Sequence, residues 1–338
     1  MYNRVFICPD GISMNLSDIT FDPHPLIRGP IAQTILGSQF TGDTYLPERI
    51  IHRIVLDGSN ELLMYELKSE NESAPLVLMG HGMGGCSESG YMRRIAFKLF
   101  NEGFGVFMMN HRGSGSGIGL CDRLWNGGSS DDLDRVVRFI VNLYPERKIL
   151  IMGFSLTGNI LLKYLGEGRV IPSNVQATLA VNPPIDLKMA SRKISEGPWS
   201  RTFNTYYLRL MNRQVASMLK CQPHAVRPTF KPKTIWEFDV GYTAPAFGYP
   251  CVEDYYESCS SKQFLGAITV PTTLLCSQDD PFIPPVIFND ARMSPAVKFV
   301  NPEFGGHMGY ISRKQNPFGD RRWMDFICVQ WAKSLYPE

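Results

Sequence analysis

The stretch Ile149–Leu165, ILIMGFSLTGNILLKYL, constrains the fold more than any other part of the chain. It opens with the apolar run Ile149–Met152, the pattern of a strand buried on both faces. Small residues punctuate Gly153-Phe154-Ser155-Leu156-Thr157-Gly158. Ile160, Leu161, Tyr164 and Leu165 then recur at helical spacing. A strand, a tight turn tipped by a serine and a helix make a nucleophile elbow. Such a turn lifts the serine hydroxyl above the sheet. It also aims the first amides of the next helix at whatever the serine attacks. The usual pattern is G-x-S-x-G. Here the fifth position is Thr157, and glycine comes one residue late, at Gly158.

The flanking sequence repeats the strand-then-helix theme. Ile50–Leu56 and Glu61–Leu67 read as strands joined by the turn Asp57-Gly58-Ser59-Asn60. Leu76–Met79, Val106–Met109, Ala177–Val181, Thr272–Leu275 and Val297–Val300 are further short apolar runs. Helical patterns cover Ser89–Asn101, Ser130–Tyr144 and Arg321–Leu335, with a short helix expected within Pro25–Gly37. Asp131, Asp132 and Asp134 lie in the first turn of the second of these, where negative charge is favourable. From about residue 183 to 268 the alternation stops. An antiparallel start, parallel β-α units and one long insertion predict an α/β fold: a mostly parallel central sheet, helices on both faces and a lid insertion. The expected divisions are an N-terminal wrapping segment at 1–48, a core at 49–182 and 269–338, and the lid at 183–268.

A serine is a weak nucleophile until a base takes its proton, and the base needs an orienting acid. The base candidate is His307, in Phe304-Gly305-Gly306-His307-Met308-Gly309-Tyr310, between the last strand and the last helix. Its glycine neighbours let an imidazole reach over the serine. Read alone, a histidine in such a place is more often a surface-loop residue than a catalytic one. The acid lies in Ser277-Gln278-Asp279-Asp280-Pro281-Phe282-Ile283-Pro284, directly after a strand. Asp279 and Asp280 compete. The D-P-x-x-P form favours Asp280, leaving Asp279 to bond or cap the loop. An oxyanion needs backbone N–H donors. The amide of Leu156 is one candidate. The amide of Met83, in the glycine-rich loop His81-Gly82-Met83-Gly84-Gly85, is the second.

Other chemistries find little support. Residues 113–119 are glycine-rich, but neither a dinucleotide fingerprint nor a P-loop spacing occurs. No His/Cys cluster has metal-ligand spacing, so neither metal nor cofactor is expected. A net charge of +2 over 338 residues gives no reason to expect a nucleic-acid partner. No run approaches the length of a membrane span, and the first residues lack a signal-peptide pattern. The eight scattered cysteines, without a C-x-x-C, read as reduced thiols and suggest a cytoplasmic location.

Together these motifs resemble the YheT-like alpha/beta-hydrolases, which include bacterial esterases and eukaryotic lipid hydrolases and acyltransferases. The likeness is carried by Gly153-Phe154-Ser155-Leu156 with Gly158-Asn159, by Leu162–Glu167, and by Asn110 with Arg112-Gly113. Asp280-Pro281-Phe282 and Gly305-Gly306-His307 add to it. Thr243-Ala244-Pro245 and Asp254-Tyr255-Tyr256 look like the family's lid signature. The resemblance runs from about residue 25 to the C-terminus. It implies an alpha/beta-hydrolase fold, a Ser155–Asp280–His307 relay and cofactor-free hydrolysis of acyl esters. Two alternatives are an acyltransferase working through the same acyl-enzyme and a non-catalytic binding protein. Thr157 is the departure from the family pattern. Residues 197–236 hold seven Lys/Arg and no Asp or Glu, interleaved with aromatic and apolar residues. That leads us to expect solvated cap helices, or contact with lipid and an anionic surface.

Overall fold

The computed structural model describes residues 20–39 and 44–336. Residues 1–19 and 40–43 of the expected N-terminal wrapping segment, Cys8 included, lie outside the described residues.

Eight strands form one sheet in the order β1-β2-β4-β3-β5-β6-β7-β8. They are β1 (Ile50–Val55), β2 (Glu61–Leu67), β3 (Leu76–Gly80), β4 (Gly105–Met109), β5 (Ile149–Phe154), β6 (Val175–Val181), β7 (Thr272–Leu275) and β8 (Val297–Val300). β1–β2 and β2–β4 pair antiparallel, and every later pair is parallel. The central strands β3, β4 and β5 are buried at every residue, which is why they read as unbroken apolar runs rather than alternating ones.

The helices α1 (Pro30–Gln39), α2 (Gly90–Asn101), α3 (Ser130–Leu143) and α4 (Leu156–Gly166) belong to the first half of the chain. Between β6 and β7 the described chain is helical: α5 (Leu187–Glu196), α6 (Ser200–Cys221), α7 (Ile235–Phe238), α8 (Ala244–Ala246) and α9 (Val252–Cys259). α10 (Val286–Asn289) and α11 (Trp323–Leu335) complete the fold. Two apolar clusters lie on opposite faces of the sheet. The residues of β3 divide between them: Leu76 and Leu78 pack with α3 and α4, and Val77 and Met79 with α2 and α11.

Buried charge ties the loops at the strand ends. The Arg112 guanidinium follows β4 and makes a bidentate pair with Asp132 of α3, at 2.7 Å on both nitrogens. It also donates to Asp57 in the β1–β2 turn at 2.6 Å. One fork therefore ties the loop after β4 to α3 and to the β1–β2 turn, and its planar geometry suits that task better than a lysine would. The seven described cysteines are free thiols. Among the described residues no helix is long and apolar enough to cross a membrane.

Candidate active site

Ser155 stands between the end of β5 and the start of α4 with φ 51° and ψ −118°. A non-glycine residue rarely adopts this left-handed backbone, and such strain concentrates at functional turns. Close packing on both sides over-determines it. The Ser155 amide donates to the Val181 carbonyl at 2.8 Å. A Cβ built on Gly82 would meet Ser155 Cβ at 3.0 Å, so only glycine lets the loop after β3 come this close.

The three side chains singled out from the sequence form one hydrogen-bonded chain. Ser155 Oγ lies 2.9 Å from His307 Nε2. His307 Nδ1 lies 2.8 Å from Asp280 Oδ2. Asp280 is almost fully buried, yet its oxygens are well supplied. Oδ1 accepts from the Phe282 and Ile283 amides at 2.8 and 3.1 Å, and Oδ2 accepts from Asn182 Nδ2 at 2.7 Å. Four donors on one carboxylate fix its orientation. Asp279 does something else: its Oδ1 accepts from the Gly306 amide at 2.8 Å, tying the acid loop to the histidine loop. Phe282 sits edge-on to the imidazole with ring centroids 4.8 Å apart.

Several supporting residues had no sequence signal strong enough to single them out. Asn182, at φ 47°, links Asp280 to the Tyr310 hydroxyl, which donates to Asn182 Oδ1 at 3.0 Å. Its only hint was its place between the apolar strand and Pro183-Pro184. From α1, Thr34 Oγ1 accepts from the His307 amide at 2.9 Å. Gln33 of the same helix bonds both the amide and the carbonyl of Ile311, so α1 braces the whole histidine loop.

Thr157 is 1% exposed, and its fit explains the missing glycine of the elbow. Its methyl group packs where β3 ends in Gly80; a Cβ on Gly80 would come within 2.4 Å of Thr157 Cγ2. Its hydroxyl donates to the His81 carbonyl, and so accepts from His111 Nε2 at 2.7 Å. The glycine that the elbow lacks thus stands on the neighbouring strand. Beneath the turn, His81 bonds the Gly82 carbonyl through Nδ1 at 2.9 Å and meets His111 edge-on. His111 stacks on Trp125 at 4.0 Å.

Both imidazoles are fully buried, and the desolvation disfavours their charged forms: His81 falls to about 4, and His111 also lies well below its ordinary value. A depressed histidine pKa means that the unfolded chain binds more protons between the folded and unfolded values. Stability is then lost as the pH falls from the unfolded value of 6.5 towards 4. We expect the urea midpoint to drop between neutral pH and pH of about 5, and to drop less in His81→Asn. A midpoint that shifts equally in the parent and in His81→Asn would contradict a neutral, buried His81.

Two cavities meet at Ser155 and His307. One, of about 90 Å3, is lined mainly by apolar residues of the helices between β6 and β7, among them Leu187, Ile194, Met211 and Phe238. The other, of about 430 Å3, runs between α1, the start of α2 and α6, past Thr34, Ser38, Ser89 and Tyr206. Met83 lines both cavities and Leu156 the first. Asn159 of α4 secures the helical segment: its side chain donates to the Gly127 and Cys259 carbonyls and accepts from the Ser261 amide. Inside that segment Asp239 is buried and accepts from the Thr243 and Tyr256 hydroxyls at 2.6 and 2.8 Å. Burial lifts its carboxyl to about 6. Among the described residues no group of His, Cys, Asp and Glu could hold a metal ion.

Comparison with known proteins points in the same direction. The sequence profile of the alpha/beta hydrolase fold matches residues 75–314. The chain is 28% identical over 280 residues to the medium-chain fatty acid ethyl ester synthase/esterase 2 of Saccharomyces cerevisiae, covering 75% of this chain and 62% of that protein. It is also 28% identical over 257 residues to the putative esterase YheT of Escherichia coli, covering 74% of this chain and 75% of the relative. The chain thus spans only about three fifths of the yeast relative's length. An esterase of Pyrococcus furiosus superposes with a TM-score of 0.53 at 16% identity over 87% of this chain and 94% of its own, a likeness of fold. Sheet order and sequence match agree, and the chain belongs to the alpha/beta hydrolases, where it is YheT-like.

Proposed function

We propose that this protein is a serine hydrolase of carboxylic acyl esters. The observation that carries the reading is the continuous chain Ser155 Oγ–His307 Nε2 and His307 Nδ1–Asp280 Oδ2, at 2.9 and 2.8 Å, opening on two cavities. In this mechanism Ser155 Oγ attacks the ester carbonyl carbon as His307 Nε2 takes its proton. Asp280 keeps Nδ1 protonated and stabilises the imidazolium. The developing oxyanion is held by the amides of Leu156 and Met83. His307 then protonates the leaving alkoxide, which departs as an alcohol and leaves an acyl-enzyme. Water, deprotonated by His307, attacks that acyl group. Collapse of the second tetrahedral intermediate releases the acid and returns the proton to Ser155.

The two cavities suggest a division of the substrate. The narrow one, walled largely by the helices between β6 and β7, suits the acyl chain, and the wider one suits the alcohol. The helices of 183–268 then act as a lid over the acyl side, pinned by Asn159. No residue of this scheme calls for a cofactor.

The names of the yeast and bacterial relatives, an ester synthase/esterase and an esterase, support acyl esters as the substrate class. The yeast name also favours a related reading, in which an alcohol in the wider cavity replaces water as the acyl acceptor. Labelling with a fluorophosphonate probe tests the common core. We expect one covalent adduct, on Ser155; no adduct there would reject both readings and leave a binding protein. Incubating an acyl ester with a second alcohol separates them. A new ester indicates transfer, and free acid alone indicates hydrolysis.

A further inference from the structure

α6 is amphipathic in an unusual way. Phe203, Leu208, Val215 and Met218 are buried against the rest of the protein. Arg201, Arg209, Arg213 and Lys220 are exposed, and at 100° per residue they fall within an arc of about 120° on the opposite side. Among the described residues none of the four makes an ion pair. The positive charge continues beyond the helix, where Arg227, Lys231 and Lys233 are exposed and residues 197–236 contain no acid.

This stripe adjoins the wider cavity. Tyr206 and Leu210 of α6, on the edge between the basic and buried faces, and Thr202, within the basic arc, form part of the cavity wall. Ile35 of α1 lines the same cavity. Ile35 is 36% exposed, Tyr206 46%, and Trp199, just before α6, 50%. Amphipathic aromatic rings beside unpaired cations suit the boundary between headgroups and acyl chains.

We propose that α6 and the rim of this cavity dock on an anionic lipid bilayer, with the basic stripe against the headgroups and Ile35, Trp199 and Tyr206 at the interface. The site of ester cleavage is then presented to lipids that partition out of the bilayer. This deepens the ester-hydrolase reading and rests on it only for the cleavage of a lipid once the protein has docked. Charge complementarity identifies the partner: a face with cations and no acid gains from a surface of many mobile anions. Each basic residue near such a surface strengthens partitioning by about fivefold. Four of them therefore amount to roughly two to three orders of magnitude.

The test is sedimentation of the full chain with vesicles of phosphatidylcholine alone or mixed with phosphatidylserine. We expect binding to the mixed vesicles at least ~10-fold tighter than to the neutral ones, weakening as salt is added. The variant with Arg201, Arg209, Arg213 and Lys220 all changed to Gln loses that preference but cleaves soluble p-nitrophenyl butyrate as the parent does. Brominated lipid quenches tryptophan fluorescence in the parent, and less in Trp199→Phe. Equal binding to both vesicle types overturns the proposal, as does undiminished binding by the four-Gln variant. Binding to soluble polyglutamate without binding to vesicles also overturns it, in favour of an acidic protein partner. Vesicle binding by a protein that cleaves no ester leaves docking standing and removes the hydrolase reading. Cleavage without vesicle binding does the reverse.

Discussion

Ser155→Ala is expected to lower kcat on p-nitrophenyl butyrate by about 10^5–10^6-fold, with the urea midpoint nearly unchanged. The substitution removes one oxygen from a turn whose strained backbone is held by other contacts, namely the bond to Val181 and the approach of Gly82. What is lost is the atom at 2.9 Å from His307 Nε2. The cavities, the elbow amides and the imidazole all survive. Residual turnover of roughly 10^3–10^4 over water is therefore compatible with the reading. Activity at the parent level would reject Ser155 as the nucleophile. So would fluorophosphonate labelling that persists in the mutant.

Substitutions at Thr157 carry the second large effect. Thr157→Val preserves the shape that fits against Gly80 but removes a hydroxyl that serves two buried partners, the His81 carbonyl and His111 Nε2. Each group left unpaired costs about 1–3 kcal/mol, so a loss of roughly 2–6 kcal/mol in unfolding free energy is expected. The His81 carbonyl belongs to the segment leading to Met83, the proposed second oxyanion donor. A displaced loop there should lower kcat by about tenfold or more while KM changes little. Thr157→Ser keeps the hydroxyl and loses a methyl group, costing about 1 kcal/mol and leaving kcat near the parent value. Thr157→Gly, which restores the usual elbow motif, should lose both stability and rate, because it opens a void against Gly80 and unpairs the same two groups. A rate increase in Thr157→Gly, or a Thr157→Val protein equal to the parent in both measurements, would sink this account.

Thr157 marks the boundary of what could be read from the chain. Its departure from G-x-S-x-G was visible, but its consequence was not. The residues that accommodate it, Gly80, His81 and His111, are far away in sequence and carry no local signal of being neighbours of the elbow. Asn182 and Thr34 were missed for the same reason. An asparagine after a strand and a threonine in a short helix look ordinary until Asp280 and the His307 amide are brought to them.

The sequence by itself determined the strand and helix order, because β3, β4 and β5 are buried on both faces and so must be apolar throughout, while the surface helices show a 3.6-residue period. It also determined which residue types follow β5, β7 and β8, and hence the candidates Ser155, Asp280 and His307. Local pattern suffices for these, since each depends on the residues beside it. Only the tertiary structure decided that Asp280 rather than Asp279 faces His307, that Gly80 makes room for Thr157, and that two cavities of different size meet at one serine. Those outcomes depend on contacts between segments tens to hundreds of residues apart. Such contacts arise from the parallel pairing of the sheet, which brings the carboxyl ends of successive strands to one edge.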